Sequence, residues 1–195
     1  MSKWSKKIAK VGLAVAVVAM TSSLASAQNP SPAQSITLNA QLAESLTVSL
    51  SGNSVNFTLT AGSPNNAGST SITATTSWVI KPGRTQVNLY AYFGSATVAL
   101  LHQDPANTTD IPPSAVEISV NSGAASAVST NDASAVGFGA AGAGLLLFNQ
   151  SSITGLNKKD SHIDTMDFNI NLSSLPQLPA DSYVGTLNIQ ALAIN

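Results

Sequence analysis

The densest set of side chains able to hold a metal ion or move a proton is the run Asp160-Ser161-His162-Ile163-Asp164, with Asp167 close behind. On a strand, alternate residues share a face, so Asp160, His162 and Asp164 would present two carboxylates and an imidazole together, a donor set suited to a divalent cation. The competing reading is a solvated acidic turn that enters a strand, and it is the expected one. No metal site is therefore expected, and these three residues are the candidates to watch. His102 and His162 are the only histidines and no Gly-x-Ser-x-Gly elbow occurs, so a Ser/His/Asp hydrolase would have to be assembled from scattered residues. The 9 acidic residues lie thinly spread, mostly at turns, and a carboxylate pair for glycoside hydrolysis would have to meet in three dimensions. Gly137-Phe138-Gly139-Ala140-Ala141-Gly142 matches Gly-x-Gly-x-x-Gly, but Ala and Ser precede it where a nucleotide site needs an apolar strand, so a flexible loop is expected. Tyr90, Tyr92 and Trp78 could stack on a sugar ring, although Trp78 sits on the apolar parity of its run and reads as core. The chain is expected to be no enzyme and to use no cofactor.

The compartment is set by the first residues. Lys3, Lys6, Lys7 and Lys10 precede an apolar run at 11–20, and Ala25-Ser26-Ala27 is a small-residue cleavage signal, so residues 1–27 read as a removable export signal. The apolar run is about half the ~20 residues a membrane span needs. After cleavage Lys81, Arg84, Lys158 and Lys159 face all 9 acids, a net charge of −5, which argues against nucleic acid or anionic lipid as a partner. Cys is absent, so an exported protein must hold together by apolar burial and strand pairing alone. The expected location is the periplasm, the cell surface or the extracellular medium, with no membrane insertion once the signal is gone.

The exported portion repeats a period of two. After a polar, Pro-containing leader at 28–34, Ile36, Leu38, Ala40 and Leu42 alternate with polar residues, and Leu46, Val48 and Leu50 resume the same parity past an expected bend at Glu44. Further strands are expected at 55–61, 72–80, 87–93, 97–101, 116–120, 145–148, 166–172 and 187–194, with 72–80 and 87–93 paired as a hairpin around Lys81-Pro82-Gly83-Arg84. Residues 121–143 are low in complexity and read as a long surface loop. Phe57, Trp78, Leu89, Phe168, Ile170, Leu187 and Ile189 are the expected core. Turn signals every ten residues or so and no helical pattern after the signal point to an all-β fold: an antiparallel immunoglobulin-like β-sandwich of about 7–9 strands over residues 35–195. An outer-membrane barrel would need aromatic girdles, and aromatics are only 5% of the chain.

The strand sequences "Ser-Ile-Thr-Leu-Asn-Ala", "Leu-Thr-Val-Ser-Leu" and "Val-Asn-Phe-Thr-Leu-Thr-Ala-Gly", the Trp78 strand, and the closing "Leu-Pro-Ala-Asp-Ser-Tyr-Val-Gly-Thr-Leu-Asn-Ile-Gln-Ala" resemble secreted bacterial pilin-like β-sandwich proteins, the spore-coat-U and fimbrial-subunit group. The chain departs from that group in lacking cysteine and in carrying Asp181 where Gly is usual. The resemblance implies a structural or adhesive subunit of the cell surface whose partner is itself or another surface subunit. Assembly would proceed by strand addition, in which an extended segment pairs with the open sheet edge of a neighbour. Ile36, Leu38, Ala40 and Leu42 are the candidate donor residues, and pairing of that strand within its own sandwich is the competing expectation. The alternative function is a non-catalytic carbohydrate-binding or matrix-adhesion module with a glycan as partner, for which Tyr90 and Tyr92 would have to lie exposed side by side.

Overall fold

Alternation decides which face each strand buries. In β3 the side chains of Ile72, Ala74, Thr76 and Trp78 are buried while Thr73, Thr75, Ser77 and Val79 between them are half-exposed, the pattern of a strand with one face on a core and one toward water. The computed structural model describes Pro32 and residues 34–195; residues 1–27, expected as an export signal, and most of the expected leader at 28–34 lie outside the described residues. In chain order the strands are β1 (Ser45–Leu50), β2 (Asn66–Ala67), β3 (Ile72–Val79), β4 (Gln86–Tyr92), β5 (Leu101–His102), β6 (Val116–Val120), β7 (Ser126–Ala127), β8 (Gly144–Gln150), β9 (Lys159–Ile170), β10 (Tyr183–Val184) and β11 (Asn188–Ile194). Two short 3-10 turns, Pro113–Ala115 and Ala133–Val136, are the only helical pieces among the described residues.

All pairing is antiparallel. One sheet runs β1-β3-β9-β6-β7, with β2 continuing the place of β3 against the far half of β9; the second runs β11-β4-β8; β5 and β10 form a separate two-stranded ladder. In the letters used for immunoglobulin domains, β1-β3-β9-β6 has the order A-B-E-D and β11 lies beside β4 as F lies beside C. The position of strand G, on the far side of β11, is filled by no strand among the described residues.

The core lies between the two sheets. Ile72, Ala74, Ile118 and Met166 from the first sheet meet Leu89, Ala91, Leu145 and Leu147 from the second. One end is closed by Trp78, Ile80 and Val87, with the Trp78 Nε1 donating to the Asn157 carbonyl at 2.9 Å; the other by Ile111, Ala115, Ile170 and Leu172. Of the expected core residues, Trp78, Leu89 and Ile170 are buried, while Phe57, Phe168, Leu187 and Ile189 are half-buried against these clusters.

Four expectations are corrected. Residues 36–42 form no strand: the apolar alternation is present, but a strand exists only where a neighbour takes its backbone groups. Residues 55–61 are extended yet form only a bridge from Phe57 to Gly68. A side chain replaces the ladder there, since buried Asn66 accepts from the Thr60 N–H at 2.7 Å and donates to the Ile170 carbonyl at 2.7 Å. β3 and β4 are no hairpin, because each must bury an apolar face and they do so by facing each other from opposite sheets. On one side of the 81–84 turn the Ile80 N–H donates to Lys158 O, and on the other the Thr85 N–H donates to Ile194 O. Residues 121–143 are not merely a surface loop: they contain β7, the second 3-10 turn and the buried side chains Val128, Ala133 and Ala143.

Candidate functional site: an open sheet edge and an exposed apolar segment

β11 is bonded to β4 along its whole length, from Asn188 opposite Tyr92 to Ile194 opposite Gln86, and among the described residues no strand pairs with its other side. The missing neighbour shows in the burial. On β4, Val87, Leu89 and Ala91 are completely buried, whereas Ala193, Ala191 and Ile189, directly opposite them on β11, are only half-buried, as is Leu187 just before the strand. β1, the edge of the first sheet, behaves alike: Leu46 and Val48 are half-buried and Leu50 is 42% exposed. Natural edge strands are usually blunted by charge, proline, a bulge or a covering loop. Neither Asn-Ile-Gln-Ala-Leu-Ala-Ile nor Ser-Leu-Thr-Val-Ser-Leu contains a charged residue or a proline.

The described residues up to Gln41 carry the complementary feature. Ile36 and Leu38 are 86% and 89% exposed, Ala40 is exposed, and Leu42, where the compact unit Leu42–Asn195 begins, is 84% exposed. Large apolar side chains exposed to this degree on one parity have the spacing of a strand.

Two hydrogen-bonded clusters hold the ends of the open edge. Before β10, the Asp181 carboxylate accepts from the Gln103 N–H at 3.2 Å, the Asp104 N–H at 3.1 Å, the Ser182 N–H at 2.6 Å and the amide of nearly buried Asn107 at 2.9 Å. The Asn107 amide leads the causes that hold the Asp181 carboxyl below the usual carboxylate range, with the backbone N–H groups adding to it against partial desolvation. Asn107 also donates to the Tyr183 hydroxyl at 2.9 Å, which donates to Pro179 O at 2.8 Å. At the opposite end Arg84 donates to Glu44 Oε1 at 3.1 Å and to Asn195 Oδ1 at 3.0 Å, tying the start of β1 to the residue after β11. Glu44, expected as a bend, is the residue that anchors it. The part played by Asn107 was invisible in sequence, since an Asn in a polar loop carries no mark of its partner.

Among the described residues, the side chains singled out for their chemistry meet only in pairs. His162 and Asp164 do come together, Nε2 to Oδ1 at 3.0 Å, and the Asn121 amide donates to the same oxygen at 2.9 Å. Asp160 is exposed, with Oδ1 accepting from Ser161 N, and no cluster of three metal-ligating side chains exists among the described residues. Thr76 faces His162 across the β3–β9 ladder, which imitates a nucleophile–base pair, but its hydroxyl is fully buried and hydrogen-bonds to nothing among the described residues. Gly137, Gly139 and Gly142 all take left-handed φ (87°, 64° and 71°) and no helix follows them. Their spacing serves a tight loop that presses Phe138 onto the outer face of the second sheet, 5.6 Å from Tyr92 and 5.9 Å from Tyr90. Tyr90 is buried beneath it, so the two tyrosines form no open platform for a sugar. His102 pairs instead with Asp110, Nδ1 to Oδ1 at 2.7 Å. No described helix is long and apolar enough to cross a membrane.

No protein-family model, no curated protein and no solved structure matches this chain.

Proposed function

We propose that this is an exported structural or adhesive subunit of the cell surface that assembles by strand addition, with Ile36, Leu38, Ala40 and Leu42 of one copy laid along the open edge of β11 in another. The observation that carries the reading is the edge of β11 that pairs with no strand among the described residues, in a β-sandwich whose chain exposes an alternating apolar segment. Strand addition would satisfy the free backbone groups of β11 and place the apolar parity of the donor over Leu187, Ile189 and Ala191. Burying Ile36, Leu38 and Leu42 is worth roughly 1.5–3 kcal/mol each, enough to offset much of the cost of association, about 4–15 kcal/mol, before any ladder hydrogen bond is counted.

The test compares the processed chain, residues 28–195, with a chain that begins at residue 43. Light scattering after size exclusion and electron microscopy are expected to show concentration-dependent multimers for the first and a folded monomer for the second. A synthetic peptide of residues 34–44 should bind the shortened chain. If the shortened chain unfolds outright, the segment belongs to its own sandwich; if the longer chain stays monomeric at every concentration, strand addition is wrong.

A further inference from the structure

Leu156 is 98% exposed, the most of any large apolar side chain among the described residues. It stands at the tip of the turn between β8 and β9, and that turn is braced from within. Asn157 accepts from the Thr154 N–H at 2.6 Å and donates to Ser152 O at 2.9 Å, while its own carbonyl accepts from Trp78 Nε1. Cations gather around it. Lys81 and Arg84 lie in the neighbouring turn, to which this one is joined where the Lys158 ammonium donates to Arg84 O at 2.9 Å and the Ile80 N–H to Lys158 O at 2.8 Å. Lys159, opposite Val79, opens β9. After the expected cleavage these four are all the lysines and arginines of the chain. Only Glu44, bonded to Arg84, and Asp160, opposite Trp78, face them at this end, so four cations stand against two carboxylates.

The opposite end reverses the charge and has an apolar patch of its own. Leu101 and Val184, cross-strand partners in the β5–β10 ladder, are 48% and 61% exposed. Three carboxylates flank that ladder: Asp181 accepts from the Gln103 and Asp104 N–H groups, and Asp110 from the His102 N–H. The His102 imidazole, already paired with Asp110, is the one group here able to carry positive charge among the described residues. The His102 N–H for Asp110, and the Asn107 amide for Asp181, lead the causes that hold both carboxyls below the usual range, so this end stays negative at neutral pH.

We infer that the two ends dock on each other in successive copies: Leu156 of one packs against Leu101 and Val184 of the next, with the lysines of the first around the carboxylates of the second. Like charge keeps two basic ends or two acidic ends apart, whereas head to tail joins opposite charges and lays apolar on apolar. A heterologous contact of this kind builds an open row unless its rotation closes a ring. It deepens the strand-addition reading, and in ordering that assembly it rests on it. Glu44, two residues after Leu42, is held at the basic end by Arg84, and a neighbour docked there presents the Asn188 end of its β11. The donated segment would then run antiparallel to β11. The end-to-end contact itself uses none of the donor residues.

The test uses the processed chain, residues 28–195, and the same chain with Ile36→Ser and Leu38→Ser, which removes the apolar donor residues. Static light scattering reads the force between copies. At about 0.01 M salt charges act over about 30 Å, and a chain of net charge −5 without an end contact repels its own copies. The donor-silenced chain is expected instead to attract them, and to lose the attraction at about 0.15 M. Lys81→Glu with Lys159→Glu should turn that attraction into repulsion, and Leu156→Ser should weaken it; all three positions are exposed. In the processed chain the early rate of multimer formation should fall about tenfold or more between the two salt concentrations. Repulsion at low salt, or attraction that ignores these substitutions, overturns the end contact. The two readings fail separately. A processed chain that multimerises at a rate indifferent to salt and to the lysines keeps strand addition and loses the end contact, whereas one that never multimerises while its copies attract at low salt does the opposite. If the copies repel and the same lysines instead bind vesicles containing phosphatidylserine, the basic end serves an anionic surface and the inference falls.

Discussion

Replacing Gly185 with alanine should be among the most damaging small substitutions in the chain. Gly185 links β10 to β11, and a methyl group there would land on the Ala99 carbonyl oxygen, 2.9 Å from the Ala99 carbonyl carbon and 3.1 Å from the Leu100 Cα. Every atom it meets is backbone, so no side chain can rotate away. Nor is that backbone free: Ala99 N and Leu100 N both donate to Ile111 O, at 2.8 and 3.0 Å, and Ile111 N donates back to Leu100 O at 3.0 Å. On the other side Val184 is paired with Leu101. The two main chains must therefore separate, which places the cost at the upper end of the usual overpacking range, about 3 kcal/mol. In a domain of this size that is a fall of roughly 6–12 °C in the thermal midpoint, at 2–4 °C per kcal/mol. The urea midpoint should fall with an unchanged slope, since the surface exposed on unfolding stays the same. Gly94→Ala and Gly155→Ala are the controls. An added methyl meets nothing within 4 Å at either position and neither has a left-handed φ, so both should stay within about 0.5 kcal/mol of the parent. If Gly185→Ala is as mild as these two, the close approach between residues 99–100 and 185 is not a feature of the folded protein.

Asp181→Asn should change the response to acid. Because its hydrogen bonds to Asn107 and the 103–104 backbone favour the ionised form, the native carboxyl titrates below its unfolded value. Its contribution is thus complete above about pH 4 and disappears as the pH falls through the native value. Urea midpoints measured from about pH 6 down to pH 3 should drop more steeply for the parent than for Asp181→Asn, and parallel curves would remove the carboxylate from the account. Gly139→Ala should destabilise by about 2–3 kcal/mol, since its methyl would meet Phe93 O and Tyr92 Cδ2, both at 2.5 Å, from a residue at φ 64°. A calorimetric scan of that variant that overlays the parent would show the loop to be free of the sheet.

Strand positions were legible where burial on one side imposes alternation: 72–80, 87–93, 116–120 and the closing strand appear at nearly the expected bounds. Partnership was not legible. The runs 72–80 and 87–93 read as neighbours across a hairpin because parity says which face is buried and nothing about whether the next run lies beside or opposite. β9 begins at Lys159, well before the expected 166, because Asp160, His162 and Asp164 break the apolar count although they keep the parity. The same three residues read as a ligand set or a solvated turn, and neither reading anticipates a carboxylate turned into the core. Ile36, Leu38 and Leu42 are the reverse case, in which the pattern is complete and the residues are exposed and in no strand.

The replacement of the hairpin by a crossing between sheets has a kinetic consequence. Apart from the short β6–β7 ladder and isolated bridges such as Phe57–Gly68 and Leu100–Ile111, the strand pairings join distant parts of the chain: Ile72 meets Met166, Tyr92 meets Gly144 on one side and Asn188 on the other, and Tyr183 meets His102. Each such closure gives up chain entropy before any contact rewards it. The nascent polypeptide therefore has little local pairing to nucleate on, and its first sheet stays incomplete until β9, which pairs with β2, β3 and β6, is available.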